Sequence, residues 1–380
     1  MKRRIYFISR KLDNSNSGGI LLRKKNIELL EKSGFEALKC SSNKEFCDFY
    51  EDYNFNNKFP LILQRLGIYD DYMTDWANKL YNKINNLLTN EDIVFCTTGG
   101  ELSTLKIGYL AKKNQKCKFV IHFHDPILHL KYDGEQFIKL AGFYFKRLKA
   151  FKKYLSEADL IITTSKTFYN ALIEEYGVSK SKIINNYFGY IYKIEIPKDK
   201  KTDRDKINIV YGGAFQKLQS PEILAEVISE FKNIYVYYVG NYKNYEPLKK
   251  YFDKENITFL DSMSYIDFAK FMQLNADLGF VPLVGDYLKF CVPSKIYENI
   301  NLGIPILGLL PYGDAMNIIN ENNYGKAFYY KDTEGFRKFL ENLSNEPEIL
   351  NSYKEKIYID RDKWHIENLF VEVIDRLKSL

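Results

Sequence analysis

Short runs rich in Ile, Val, Phe and Tyr alternate with stretches of helical period along the chain, and the alternation occurs twice. A strand buried on both faces reads as a continuous apolar run, and a helix in each connection returns the chain so that the next strand lies parallel. The pattern therefore predicts an α/β protein of two Rossmann-like domains, each a parallel sheet with helices on both faces. Predicted strands are 4–8, 36–40, 93–97, 119–123 and 160–164 in the first half, and 207–212, 234–240, 257–260, 278–282, 304–310 and 327–330 in the second. Between the halves, residues 196–206 are charged, carry Pro197 and hold almost nothing apolar, as a solvated linker should. With 380 residues, more than one core usually serves, we expect a first domain over 1–195, a second over 207–358 and a C-terminal helix, 359–380, returning to the first.

Open parallel sheets bind ligands beyond the carboxyl ends of their strands, so functional residues are sought in the loops that follow them. No apolar run approaches the roughly 20 residues of a membrane-crossing helix. The amino-terminal basic residues are followed by charge again at Arg10 and Lys11, too early for a signal-peptide core. Five scattered cysteines give neither a metal spacing nor a disulfide framework, which points to a reducing cytoplasm. The net charge of +6 is uneven: residues 1–190 carry 30 Lys/Arg against 21 Asp/Glu, residues 191–380 carry 25 against 28. The basic half is expected to meet an anionic partner. Residues 137–155 form an amphipathic pattern with Lys139, Lys146, Arg147, Lys149 and Lys153 on the polar side. It reads either as a sheet-packed helix whose basic side only attracts anions or as a membrane-face helix.

Four segments carry chemistry. Gly18 and Gly19 open a helix after the first strand, where exposed amides favour an acceptor group or phosphate; the third glycine of a dinucleotide fingerprint is missing. His124 and Asp125 stand at the exit of the strand 119–123, where one can bond a sugar hydroxyl and the other take a proton, or both can serve structure, Asp125 capping the turn at Pro126. Tyr211-Gly212-Gly213 lets a diphosphate approach the backbone, with Lys217 as a cation nearby. Pro293-Ser294-Lys295 starts a helix that also presents Glu298, at i+4 from Ser294 and i+3 from Lys295, so amides, hydroxyl, ammonium and carboxylate share one side. Spacing alone favours a surface Lys295–Glu298 pair on an amphipathic helix.

Pro293-Ser294-Lys295, Glu298 and Gly303-Ile304-Pro305-Ile306 resemble the donor-site helix of glycosyltransferase family 4, whose members have the GT-B fold. Gly18-Gly19, Phe123-His124-Asp125-Pro126, residues 159–165, Tyr211-Gly212-Gly213 and Val239-Gly240 match further family segments in order. The resemblance implies metal-independent transfer of a sugar, usually with retention, from a UDP- or GDP-linked donor to a lipid-linked or glycan acceptor in surface-polysaccharide assembly. It places the ribose on Glu298, the diphosphate near Gly213, Lys217, Ser294 and Lys295, and the base near Ser262-Met263. Phe290, Ala214 and Gln219 stand where the family usually has a Glu, an Arg and a Lys that hold the donor. This leaves open a non-catalytic GT-B partner subunit or a nucleotide-sugar epimerase. No cofactor and no metal are expected: Asp203-Arg204-Asp205 and Asp360-Arg361-Asp362 read as linker and helix cap. Expected partners are a nucleotide sugar, the acceptor, a peripheral membrane contact at the inner face and a second copy of the chain. No recognisable nucleic-acid module occurs.

Overall fold

The structure, a computed structural model, describes residues 2–14, 18–127, 132–133, 136–137, 141–197 and 206–380. The expected loop residues Ser15-Asn16-Ser17, His129, linker residues 198–205 and the Asp203-Arg204-Asp205 triplet lie outside the described residues. The chain divides into two compact units, Met1–Ile191 with Leu369–Leu380, and Tyr192–Asn368.

The first unit holds β1 (Arg4–Ile8), β2 (Glu36–Ser41), β3 (Phe49–Tyr50), β4 (Ile93–Thr98), β5 (Lys118–Phe123), a small antiparallel pair β6 (Tyr132–Asp133) and β7 (Gln136–Phe137), then β8 (Leu160–Thr163) and β9 (Ile183–Asn185). Its parallel sheet runs β3-β2-β1-β4-β5-β8-β9. The direction of winding reverses between β1 and β4, which opens a crevice at the carboxyl ends of those two strands. All six residues of β4 are buried, as a central strand covered by helices on both faces requires. Within this unit the terminal helix Val371–Ser379 is held by Arg3, whose guanidinium donates to Leu377 O at 3.3 Å.

The second unit holds β10 (Ile207–Gly212), β11 (Ile234–Val239), β12 (Ile257–Leu260), β13 (Leu278–Pro282), β14 (Ile306–Leu310) and β15 (Gly325–Tyr329), all parallel, in the order β12-β11-β10-β13-β14-β15. Its reversal lies between β10 and β13. Behind this edge, helix Ser294–Leu302 is anchored at its far end. Arg361, almost fully buried, donates to Asn301 Oδ1 at 2.8 Å, and Asn301 Nδ2 donates to Tyr192 O at 2.7 Å. Tyr324 donates to Asp360, the last residue of helix Ile349–Asp360, and accepts from Trp364 Nε1 at 2.9 Å.

Every predicted strand is present within one or two residues, and the parallel α/β architecture is as expected. Three local readings are corrected. Phe137 belongs to β7, and the helix expected over 137–155 runs Ala141–Glu157. Arg147, placed on its solvated basic side, is 2 % exposed and ion-paired with Asp71. The final segment is broken: Arg361–Trp364 is a 3-10 turn, followed by short helices Ile366–Leu369 and Val371–Ser379.

Candidate functional site

In the second unit the chain leaves β10 through Gly212 and Gly213. Gly213 has φ +140°, a conformation open to glycine. A β-carbon placed on it would lie 2.6 Å from Lys295 Nζ, so the ammonium group rests directly over this turn. Lys295 belongs to helix Ser294–Leu302, whose N-cap, Pro293, supplies no side-chain acceptor to the first-turn amides. A bare helix start of nine residues concentrates partial positive charge where Ser294 and Lys295 already stand.

The register that puts Lys295 over Gly213 also fixes Glu298. Asn299, one residue on, packs so closely on Gly279 of β13 that a β-carbon there would lie 1.8 Å from its Oδ1, and its Nδ2 donates to Lys295 O at 2.7 Å. Glu298 is half-buried beside a pocket lined by Gly212, Phe268, Met272, Lys295 and Asn299. Burial raises its carboxyl pKa, opposed by the Lys295 charge and by the Ser294 hydroxyl, which donates to it. Burial likewise lowers the Lys295 ammonium, with Glu298 acting against it. The alternative of a solvated surface pair does not describe two groups set against the glycine turn of a switch point. Gly213, Ser294, Lys295 and Glu298 are thus brought together, with Pro293 at their head. Met263 is half-buried against the small core that includes Val210 and Met272, just before the Ser264 cap of helix Tyr265–Asn275. Lys217 is exposed in the turn before helix Glu222–Ile228, and no described contact joins it to Lys295 or Glu298.

In the first unit, Gly18 and Gly19 begin helix Gly18–Lys32, and a β-carbon on Gly19 would lie 3.9 Å from Arg23 Nη1. The other end of that guanidinium approaches Gly99, the first residue after β4: from a β-carbon on Gly99, Arg23 Nη2 would be 3.7 Å, Asp125 Oδ2 3.6 Å and Glu101 Oε2 3.7 Å away. Glu101 is 3 % exposed; its Oε2 accepts from Gly99 N at 3.1 Å and lies 3.9 Å from Arg10 Nη1. Arg10, Arg23, Glu101 and Asp125 therefore meet at the β1/β4 crevice. Burial raises the pKa of Glu101, against the pull of Arg10 and Arg23. Desolvation by the surrounding protein raises that of Asp125 too, although the residue is exposed at its surface, against Arg23 and Arg10.

His122 and His124 share one face, their ring centroids 4.8 Å apart, and His124 lies 5.0 Å from the Phe188 ring. Neither nitrogen of His122 has a hydrogen-bond partner among the described residues, nor has Nε2 of His124. Burial, reinforced by the Arg23 charge, pushes the His122 imidazole down to about 3. A histidine neutral when folded but basic when unfolded contributes full stability above about pH 6.5 and loses it as pH falls towards about 3. At ~1.36 kcal/mol per unit, the unfolding free energy lost between pH 7 and 4.5 should be about 2.5 kcal/mol smaller in His122→Leu than in the parent chain. Urea titrations followed by Trp76 in a Trp364→Phe background would measure this in the first unit, and equal losses would refute it.

Arg10, Arg23 and Glu101 escaped the sequence reading, although Gly99-Gly100 after a strand is the same signal that drew attention to Gly212-Gly213. The turn bearing Glu101 is fixed by the unforeseen buried pair. Asp71 accepts from Leu102 N at 2.9 Å and from Ser103 Oγ, and Arg147 Nη2 donates to Gly100 O at 3.3 Å.

The sequence matches no protein-family model and no curated protein. Solved structures do match over the full length. HepE of Anabaena in complex with UDP superposes with a TM-score of 0.69 at 15% identity, covering 100% of both chains. A glycosyltransferase of Rickettsia africae gives 0.70 at 15%, again over 100% of both. WaaG, a glycosyltransferase involved in lipopolysaccharide biosynthesis, gives 0.66 at 11% over 98% of each. The fold is that of the GT-B glycosyltransferases. In GT-B terms the two glycine turns and the Ser294–Leu302 helix stand at the carboxyl edges of their sheets, where Rossmann-like units receive ligands.

Proposed function

We propose that the chain is a glycosyltransferase that moves a sugar, with retention, from a nucleoside diphosphate sugar to a lipid-linked or glycan acceptor in surface-polysaccharide or glycoconjugate assembly. The observation that carries this reading is Glu298 and Lys295 on an uncapped helix start against Gly213. Glu298 would accept the two vicinal hydroxyls of a ribose. Lys295, the Ser294 hydroxyl and the first-turn amides would hold the diphosphate and stabilise the charge that develops on it as the sugar leaves. These groups can carry that charge without a divalent ion. The complex of HepE with UDP supports a uridine donor as the first to test. Acceptor recognition falls to the first unit, with His124 and Asp125 as the residues that would touch the acceptor hydroxyl, flanked by Arg23 and the Gly18-Gly19 helix start.

A second reading is favoured by Phe290. It occupies the position eight residues before Glu298 where a donor-holding glutamate is expected, and Lys289 Nζ lies 5.0 Å from its ring. A non-catalytic GT-B subunit would tolerate that change.

Thermal shift against UDP, GDP, CMP and ADP separates the two. A donor-binding enzyme should be stabilised by one nucleoside diphosphate above the others, and NMR should then show slow release of sugar from the matching donor. A chain that none of the four stabilises fits the second reading and contradicts the first.

A further inference from the structure

Helix Phe59–Arg65 turns an apolar stripe to the outside. At 100° per residue, Phe59, Ile62 and Leu66, the last at its C-cap, fall on one side, and they are 61 %, 51 % and 65 % exposed. Its one fully buried residue is polar: Gln64, whose Oε1 accepts from Tyr72 N at 2.6 Å and from Arg147 Nη1 at 3.2 Å, while Pro60, Leu61 and Leu63 are only half-buried. Phe55, before the helix, and Ile68, after it, are also half exposed. On helix Ala141–Glu157, Phe145 is 64 % exposed and the next residue, Lys146, donates to Ile68 O. A surface helix normally hides its apolar stripe and solvates its polar one, and contiguous exposed apolar patches of this kind mark contacts with another phase or molecule.

The charge around the patch identifies the partner. Residues 53–68 contain Lys58 and Arg65 and no acidic residue, and Lys146 and Lys149 lie at the Phe145 edge. Residues 1–190 as a whole carry nine more basic than acidic groups. Aromatic and aliphatic side chains flanked by Lys and Arg, on a segment that itself holds no carboxylate, suit the headgroup boundary of an anionic bilayer. There the apolar tips enter the acyl region and the cations meet lipid phosphate. We propose that this face, Phe55, Phe59, Ile62, Leu66, Ile68 and Phe145 with their basic rim, seats the first unit on an anionic lipid surface. The contact is independent of sugar transfer, and it moves the expected membrane face from the polar side of residues 137–155 to the segment 55–68 before them.

The test is co-sedimentation of the full chain with vesicles of phosphatidylcholine alone and of phosphatidylcholine with phosphatidylglycerol. Analytical ultracentrifugation without lipid runs alongside. The parent chain should sediment with the anionic vesicles and not with the neutral ones, and added salt should weaken it. The triple variant Phe59→Ser, Ile62→Ser, Leu66→Ser should lose roughly tenfold or more in partitioning. Lys58→Glu with Arg65→Glu should lose a comparable amount. All five positions are exposed, so the melting temperature should hold and report that the fold is intact. Failure of the parent chain to bind anionic vesicles, or undiminished binding by the triple variant, overturns the proposal. So does a parent dimer that the triple variant converts to monomer while vesicle binding is unchanged, which would assign the face to a second copy.

Discussion

Replacing Asp71 by Ala should destabilise the first unit by about 3–5 kcal/mol, among the largest losses open to a single substitution in this chain. Asp71 is 1 % exposed and Arg147 2 %, with Asp71 Oδ2 3.1 Å from Arg147 Nη1. Asp71 also accepts from Met73 N and Leu102 N at 3.0 and 2.9 Å, and Arg147 donates to Gln64 Oε1 and Asp70 O. Removing the carboxylate strands a guanidinium in the interior and orphans two backbone amides together. The pair itself is not thereby worth that much, because desolvation offsets most of its attraction. Asp71→Leu combined with Arg147→Met should accordingly cost less than Asp71→Ala alone. Urea unfolding reported by Trp76, with Trp364 replaced by Phe, isolates the first unit. A double variant less stable than Asp71→Ala would contradict this account of the pair. The same substitution should loosen the Gly99–Leu102 turn, and with it Glu101.

Glu298→Ala should weaken binding of the cognate nucleoside diphosphate by at least tenfold, and up to a few hundredfold, since hydrogen bonds to a charged acceptor contribute about 1.5–3 kcal/mol each. In the proposed role, the ionised form is the one that would accept both ribose hydroxyls. Burial raises the pKa of this carboxyl, so affinity should fall with acidification from a pH above the ordinary glutamate range, and Glu298→Gln should flatten that limb. Lys295→Ala should act differently. It removes the charge over Gly213, so it should weaken the nucleoside diphosphate far more than the bare nucleoside.

The strands were legible because each is a run of buried apolar residues bounded by glycine or charge, and hydrophobic burial is what fixes them. The Ser294–Leu302 helix was equally legible, since Pro at its start, Gly303 at its end and i, i+3, i+4 spacing are local signals. Arg147 was not. Its helical position looks like that of Lys146 and Lys149, and only the distant Asp71, 76 residues earlier, makes the interior tolerate it. The Arg10, Arg23, Glu101 and Asp125 cluster is hidden for the same reason: three separate loops and a helix contribute one charge each, and only the sheet order brings β1 beside β4. The exposed face of Phe59–Arg65 was missed because seven residues are too few for a period to declare which side is buried.

Calorimetric titration of the parent chain, Glu298→Ala and Lys295→Ala with UDP and with uridine tests most directly whether the helix beginning at Ser294 receives a sugar nucleotide. The account predicts that UDP binds the parent chain, that Glu298→Ala weakens UDP and uridine alike, and that Lys295→Ala weakens UDP alone. Parent and variants binding UDP equally would contradict it.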